Sequence, residues 1–220
     1  MKFSGHSHFY QRNHTIVTRF SFSVLLDLDN FVIVKKYYKN KRSFKGVSKM
    51  DISIIKAENV TAETGIFIGE QAPKQTVEFM NVRCPYCKKW FEDSADILAE
   101  AVASGKLQRV IKLFDKEKQS LLSGNVMHRY ISKTDGQQAL LDLTKIYATQ
   151  TSWAQLPLED VATYAEETLH LTLQDDLDAT NKIIAEANQA NIQFVPTILL
   201  DSHIFDENIP LETLSSYLNQ

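Results

Sequence analysis

The feature that most constrains this chain is its only pair of cysteines, Cys84 and Cys87, in the run Arg83-Cys-Pro-Tyr-Cys-Lys. The pair follows Thr76–Met80 (TVEFM), which is β-rich and apolar and predicts a buried strand. From Cys84 to Ser104 the apolar residues Trp90, Phe91, Ile97, Leu98, Ala101 and Val102 recur at helical spacing, and Gly105 supplies a stop signal. Leu107–Phe114 (LQRVIKLF) predicts the next strand. Strand, helix, strand makes a right-handed βαβ unit if the strands are parallel. The cysteines therefore stand where a strand ends and a helix begins, and a CxxC at that place reads as a redox pair.

The spacing has a chemical reason. A helix N-terminus presents unpaired N–H groups and the positive end of the dipole, and both stabilise a thiolate. Cys84 at the cap should fall below the free thiol pKa of about 8.5. Lys88 and Lys89 are expected to add positive charge. Cys87, one turn inside, lies within disulfide reach, so Cys84 can attack a substrate disulfide and Cys87 can resolve the mixed disulfide. Pro85 suits the first helical turn, and Tyr86 between the cysteines is expected to be exposed. Other uses of the pair are weaker. Zinc would need two further ligands, and His128, His170 and His203 are not spaced as a second pair, so no metal is expected. A structural disulfide across so small a loop gains little entropy.

Two more features bear on the site. Glu78 lies inside the apolar strand. Buried, it would have a raised pKa by desolvation and could relay the Cys87 proton; facing water at a sheet edge, it would do neither. Val195-Pro196-Thr197 opens the late apolar run Phe194–Asp201 (FVPTILLD). A proline inside a core strand is disfavoured, unless the Val195–Pro196 bond is cis and the loop faces a ligand.

The rest of the chain reads as mixed α/β. Asp51–Ala57 alternates and predicts a strand, and Gly65–Gly69 a strand end or turn. Residues 117–190 hold no strand-like run and predict several helices. His203–Phe205 would pair with the late strand as a hairpin, and Leu211–Leu218 would close the chain as a helix. The domain plan is a thioredoxin-sized α/β core in residues 50–116 and 181–220, with a helical domain inserted at 117–180.

Charge divides the chain. The net is −3, but residues 1–49 carry ten Lys or Arg against two Asp, and half of the twelve Phe. This segment could be a basic arm, an ordered piece packed on the domain, or a stretch that is not natively translated. The expectation is the last, with Met50 as the natural start: AT-rich codons dominate the composition, and Lys45-Gly46-Val47 can encode a ribosome-binding sequence. No global basic field points to nucleic acid, and no apolar run approaches the roughly 18 residues a membrane span needs.

The stretches Ile68–Pro73 leading into Thr76-Val-Glu-Phe79, Cys84-Pro-Tyr-Cys-Lys-Lys89 and Phe194-Val-Pro-Thr197 resemble the thioredoxin superfamily and, within it, the DsbA-like branch, whose hallmark is a helical block between the two halves of the fold. The likeness covers residues 64–220. It implies an α/β thioredoxin fold with an inserted helical domain, Cys84 as nucleophile, Cys87 as resolving thiol, Pro196 as the cis-proline and Glu78 as the acid beneath the site. Substrate would meet Val195, Pro196, Thr197, Pro85 and Tyr86. No cofactor is implied. The partners would be disulfide- or thiol-containing protein substrates and a thioredoxin- or glutathione-type reducing system, with no nucleic acid and no membrane. Cys-Pro-Tyr-Cys is also the glutaredoxin dipeptide, but the chain and its insertion are too long for a plain glutaredoxin. Neither Met1 nor Met50 opens a signal peptide, so the expected place is the cytoplasm. The competing function is an adaptor on the same scaffold, working through the helical block.

Overall fold

The computed structural model describes residues 51–174 and 176–220. The expectation for residues 1–49 lies outside the described residues, as does Asp175. Five strands form one sheet: β1 (Ile66–Ile68), β2 (Lys74–Met80), β3 (Leu107–Leu113), β4 (Thr197–Leu200) and β5 (His203–Phe205). The order across the sheet is β1-β3-β2-β4-β5, with β2 and β3 parallel and the other neighbours antiparallel. The helices between β2 and β3, α1 (Pro85–Asp93) and α2 (Ala95–Ala103), are the crossover that a parallel pair requires. They form two helices rather than the one expected. Ser94 donates its hydroxyl to the Trp90 carbonyl (2.6 Å) and sits at φ −92°, ψ −4°, which breaks the ladder.

Between β3 and β4 the chain builds helices: α3 (Leu122–Met127), α4 (Gly136–Ala148), α5 (Gln150–Trp153), α6 (Leu158–Thr163) with a π-helical turn at Tyr164–Thr168, and α7 (Leu177–Gln189). The domain boundary drawn at residue 180 falls inside α7. That helix covers the sheet: Ile183 and Ala187 pack with Val77, Phe79, Val110 and Leu199. α8 (Leu211–Asn219) closes the chain, with Leu214 and Leu218 buried.

Side-chain alternation along the strands divides the core. Val77 and Phe79 of β2 face α7, while Met80 packs with Trp90, Leu98 and Ile111 on the other side. Glu78 therefore shares the face of Met80, beneath α1. Asp51–Ala57 is not a strand. It forms 3₁₀ turns at Ile52–Ile54 and Ala57–Asn59, tied to the end of α7 by Lys56 N–H to the Ala190 carbonyl (2.9 Å) and Asn191 Nδ2 to the Ile54 carbonyl (3.0 Å). Ile55 is half-buried against the α7 cluster, and over so short a run one-sided packing gives the same alternation as a strand.

Candidate active site

Cys84 occupies the N-cap of α1 at φ −72°, ψ 123°, with Pro85 at the first helical position, where no N–H is needed. Cys87 lies one turn in, with its side chain on the buried side of α1. Both are free thiols. Pro85 and Tyr86 between them are exposed, Tyr86 by 39%. Both thiols are covered, Cys84 at 5% exposure and Cys87 at 0%. The loop before β4 covers Cys84: its thiol donates to the Val195 carbonyl (3.3 Å). The Val195–Pro196 bond is cis. Pro196 is buried, Val195 half-buried and Phe194 52% exposed. Thr197 is fully buried and its hydroxyl donates to the Phe194 carbonyl (2.8 Å), so its side chain shapes the loop rather than meeting solvent.

The two thiols differ in acidity. Cys84 is lowered from 9.0 to about 7. The hydrogen bond from the Cys87 thiol is the main cause, helped by the N–H groups of Cys87 and Tyr86 and opposed by burial and the Glu207 carboxylate. Lys88 and Lys89 do not supply the expected field. The Lys88 ammonium bonds the Tyr147 carbonyl (2.7 Å) and lies 3.5 Å from Glu92, and that of Lys89 bonds the Glu207 carbonyl (2.6 Å) and pairs with Asp93 (3.2 Å). Cys87 is pushed well above 9.0 by burial and by the Cys84 sulfur, partly offset by the Asn81 N–H that bonds its Sγ (3.4 Å). The two thiols are thus set apart, Cys84 the more readily ionised and Cys87 the more firmly protonated.

The loop that delivers Cys84 is fastened by the helical block. Asn81 Oδ1 accepts from Arg83 N–H (3.0 Å), and its Nδ2 donates to the Phe114 carbonyl (3.2 Å) and Asn125 Oδ1 (3.0 Å). His128 Nε2 accepts from Val82 N–H (3.2 Å), which puts the ring proton on Nδ1, facing Asp115 (2.7 Å). Burial lowers the His128 pKa, with Asp115 opposing, so the neutral ring that this bond needs is the favoured one. Gln150 Nε2 spans the carbonyls of Val82 (2.7 Å) and Cys84 (3.3 Å), and Arg83 Nε donates to the Ala154 carbonyl (2.8 Å). Gly124 of α3 lies so close that an added Cβ would meet Asn81 Oδ1 at 2.1 Å and the Arg83 nitrogen at 2.9 Å. None of Asn81, Gly124, His128 and Gln150 was expected at the site. Asn81 alone carries a local signal, as a turn-forming residue where a strand ends.

Glu78 is buried, and the expectation of a raised pKa fails. Its Oε1 accepts from Arg109 Nε (2.7 Å) and Thr76 Oγ1 (3.0 Å), and its Oε2 from Arg109 Nη2 (2.9 Å) and Trp90 Nε1 (2.8 Å). Burial alone would push the carboxyl up, but the Arg109 charge and these donors together hold it below 4.5. A carboxylate so bound is a poor proton acceptor. Glu78 supports α1 through Trp90, and the raised pKa on which the expected proton relay rested is absent.

Two groups near the thiols were not foreseen. Glu207 follows β5, is 6% exposed and bonds Asn208 Nδ2 (2.9 Å). Burial raises its pKa, and its charge opposes ionisation of both cysteines. Tyr147 of α4 is 1% exposed, with its ring tilted on Phe91 of α1 at 5.0 Å, and its phenol oxygen has no hydrogen-bond partner among the described residues.

Residues 61–220 match the family model described as Thioredoxin. A conserved protein of unknown function from Enterococcus faecalis V583 is 55% identical, with a TM-score of 0.76 over 78% of this chain and 98% of that one. A protein-disulfide isomerase from Novosphingobium aromaticivorans matches at 16% identity and TM-score 0.57, covering 71% of this chain and 99% of that chain. The α-DsbA1 of Wolbachia pipientis matches at 15% and 0.51, covering 70% and 88%. The last two likenesses are of fold. No curated protein matches the chain.

Proposed function

The chain belongs to the thioredoxin family, in the DsbA-like form of its fold, and from that premise we propose that it is a cytoplasmic thiol-disulfide oxidoreductase working through Cys84 and Cys87. The observation that carries the reading is the split in acidity: Cys84 lowered to about 7 at a helix N-cap, Cys87 raised and buried one turn behind it. The Cys84 thiolate attacks a substrate disulfide and forms a mixed disulfide. Cys87 then attacks the Cys84 sulfur and releases the substrate as a thiol. The Val195 carbonyl lies 3.3 Å from the nucleophile's sulfur, with Pro196 next in the chain, so substrate enters between this loop and the exposed Pro85-Tyr86 step.

The acidity also bears on direction. A thiol near 7 matches thioredoxin's value of about 7, whereas the oxidant DsbA has about 3.5. A less stabilised thiolate means a less stabilised dithiol, which favours giving electrons to substrate. The substrates are disulfide-bearing proteins or small molecules, with a thioredoxin- or glutathione-type system restoring the dithiol. The test is a pair of variants given a disulfide substrate. Cys84→Ser should lose turnover. Cys87→Ser should accumulate a mixed disulfide on Cys84. Turnover surviving in Cys84→Ser would contradict the proposal.

A further inference from the structure

The buried phenol of Tyr147 has no hydrogen-bond partner among the described residues, and its ring packs on the helix that carries the reacting sulfurs. Tyr147 ends the helix α4 of the inserted block and meets α1 twice: its ring rests on Phe91 at 5.0 Å, and its carbonyl takes the Lys88 ammonium at 2.7 Å. Phe91 and Cys87 stand four residues apart on α1, one above the other on its buried side. The phenol oxygen has no partner among the described residues, although buried polar groups are nearly always bonded. We propose that Tyr147 is the hydrogen-bond donor held in reserve for the negative charge that develops on Cys87 when it resolves the mixed disulfide. This rests on the oxidoreductase reading above and adds a residue to it.

The chemistry creates the need. In the resolving step a new S–S bond forms between Cys87 and Cys84, and the bond between Cys84 and the substrate sulfur breaks. The substrate sulfur leaves with the electron pair and takes up the proton that Cys87 gives up. Substrate is reduced by what Cys87 loses, and no further oxidant enters. During the attack Cys87 carries negative charge in a site closed to water, where burial resists ionisation. Asn81 N–H is the hydrogen bond already on that sulfur, at 3.4 Å. The phenol O–H, bonded to neither sulfur in the dithiol protein, is a second donor whose value appears only as charge builds. The electrostatics agree: after burial, the charge of Cys87 is the foremost influence raising the Tyr147 pKa, ahead of Cys84, Glu78 and Glu92.

The experiment compares reduced wild type and Tyr147→Phe with glutathione disulfide as the probe, quenched in acid and read by intact mass as dithiol, Cys84 adduct and internal disulfide. Expected for the variant is adduct formation at the wild-type rate and adduct decay slowed roughly 10- to 100-fold, as for loss of a bond to a charged group. The pH profile of the decay should move to higher pH, and the unfolding midpoint should rise, because an unpaired buried donor has been removed. Decay at the wild-type rate would overturn the inference. So would a lowered midpoint with formation and decay slowed together and the profile unmoved, since that marks a packing role. Wild type that forms no Cys84 adduct at all would instead overturn the oxidoreductase reading on which the inference depends, so the two failures are distinguishable.

Discussion

Two buried polar sites lie beneath α1, and they are built on opposite plans. In the sheet, the Glu78–Arg109 pair is closed: both carboxylate oxygens are filled, by Arg109, Trp90 and Thr76. At the helix N-terminus, the polar groups around Cys84 and Cys87 are left with bonding to spare. Among the described residues the Tyr147 phenol has no partner, the Glu207 carboxylate is pushed up by burial, and the Cys84 sulfur meets neutral partners, the Val195 carbonyl, the Cys87 thiol and the N–H groups of Cys87 and Tyr86. A closed site fixes structure and has little left to respond with. An open one carries strain, on the order of 1–3 kcal/mol for an unpaired buried donor, and can respond when charge appears. The proposed chemistry sits where the bonding is incomplete.

The largest expected effect comes from breaking the closed site. Glu78→Ala leaves the Arg109 guanidinium, whose side chain is 6% exposed, without its counter-ion in the core. A loss of about 3–5 kcal/mol is expected, read as a lower urea midpoint. If the two sites are separate in purpose, the Cys84 acidity of the folded variant stays near wild type. A large change in acidity with little loss of stability would reverse the assignment of the two sites.

A smaller effect comes from the open site. Glu207→Gln removes a charge that opposes both thiolates. The Cys84 pKa should fall below about 7, and its reaction with a small alkylating agent at pH 6 should quicken up to about fivefold, the scale of a charge acting across protein. The sign fixes the window. The gain fades above pH 8, where Cys84 is largely ionised in both proteins, and narrows in acid as the wild-type Glu207 takes a proton. An unchanged rate at pH 6 would show that Glu207 does not tune the pair.

The same contrast explains what the sequence discloses. The βαβ unit, the late hairpin and the strand-free middle follow from local periodicity and from the turn at each end. The cysteine pair carries its chemistry in its own spacing. The burial of Glu78 is not legible, since its neighbours Val77 and Phe79 point to the opposite face and a carboxylate facing water at a sheet edge fits the same run. Nor is its ionisation, because the deciding partner is Arg109, which parallel pairing of β2 and β3 brings beneath α1 with Thr76 as its cross-strand neighbour. Lys112 is similar: it is buried on the other face of β3 against Glu186 of α7. A sequence window around LQRVIKLF shows two cations in a strand and no hint of where their carboxylates lie. The loop clamp is legible only in three dimensions. His128 and Gln150 reach Val82 from the inserted helices, and nothing in their own neighbourhoods separates them from other polar helix residues.

The central claim is that one thiol is a nucleophile at neutral pH and the other keeps its proton. Rates of iodoacetamide alkylation across pH, resolved by mass spectrometry of peptides carrying Cys84 or Cys87, measure it directly. The account predicts that Cys84 labels first at every pH, with a rate that follows one ionisation near 7, and that Cys87 stays unlabelled through that range. Equal labelling of the two cysteines, or a Cys84 rate still climbing toward pH 9 like a free thiol, would contradict it.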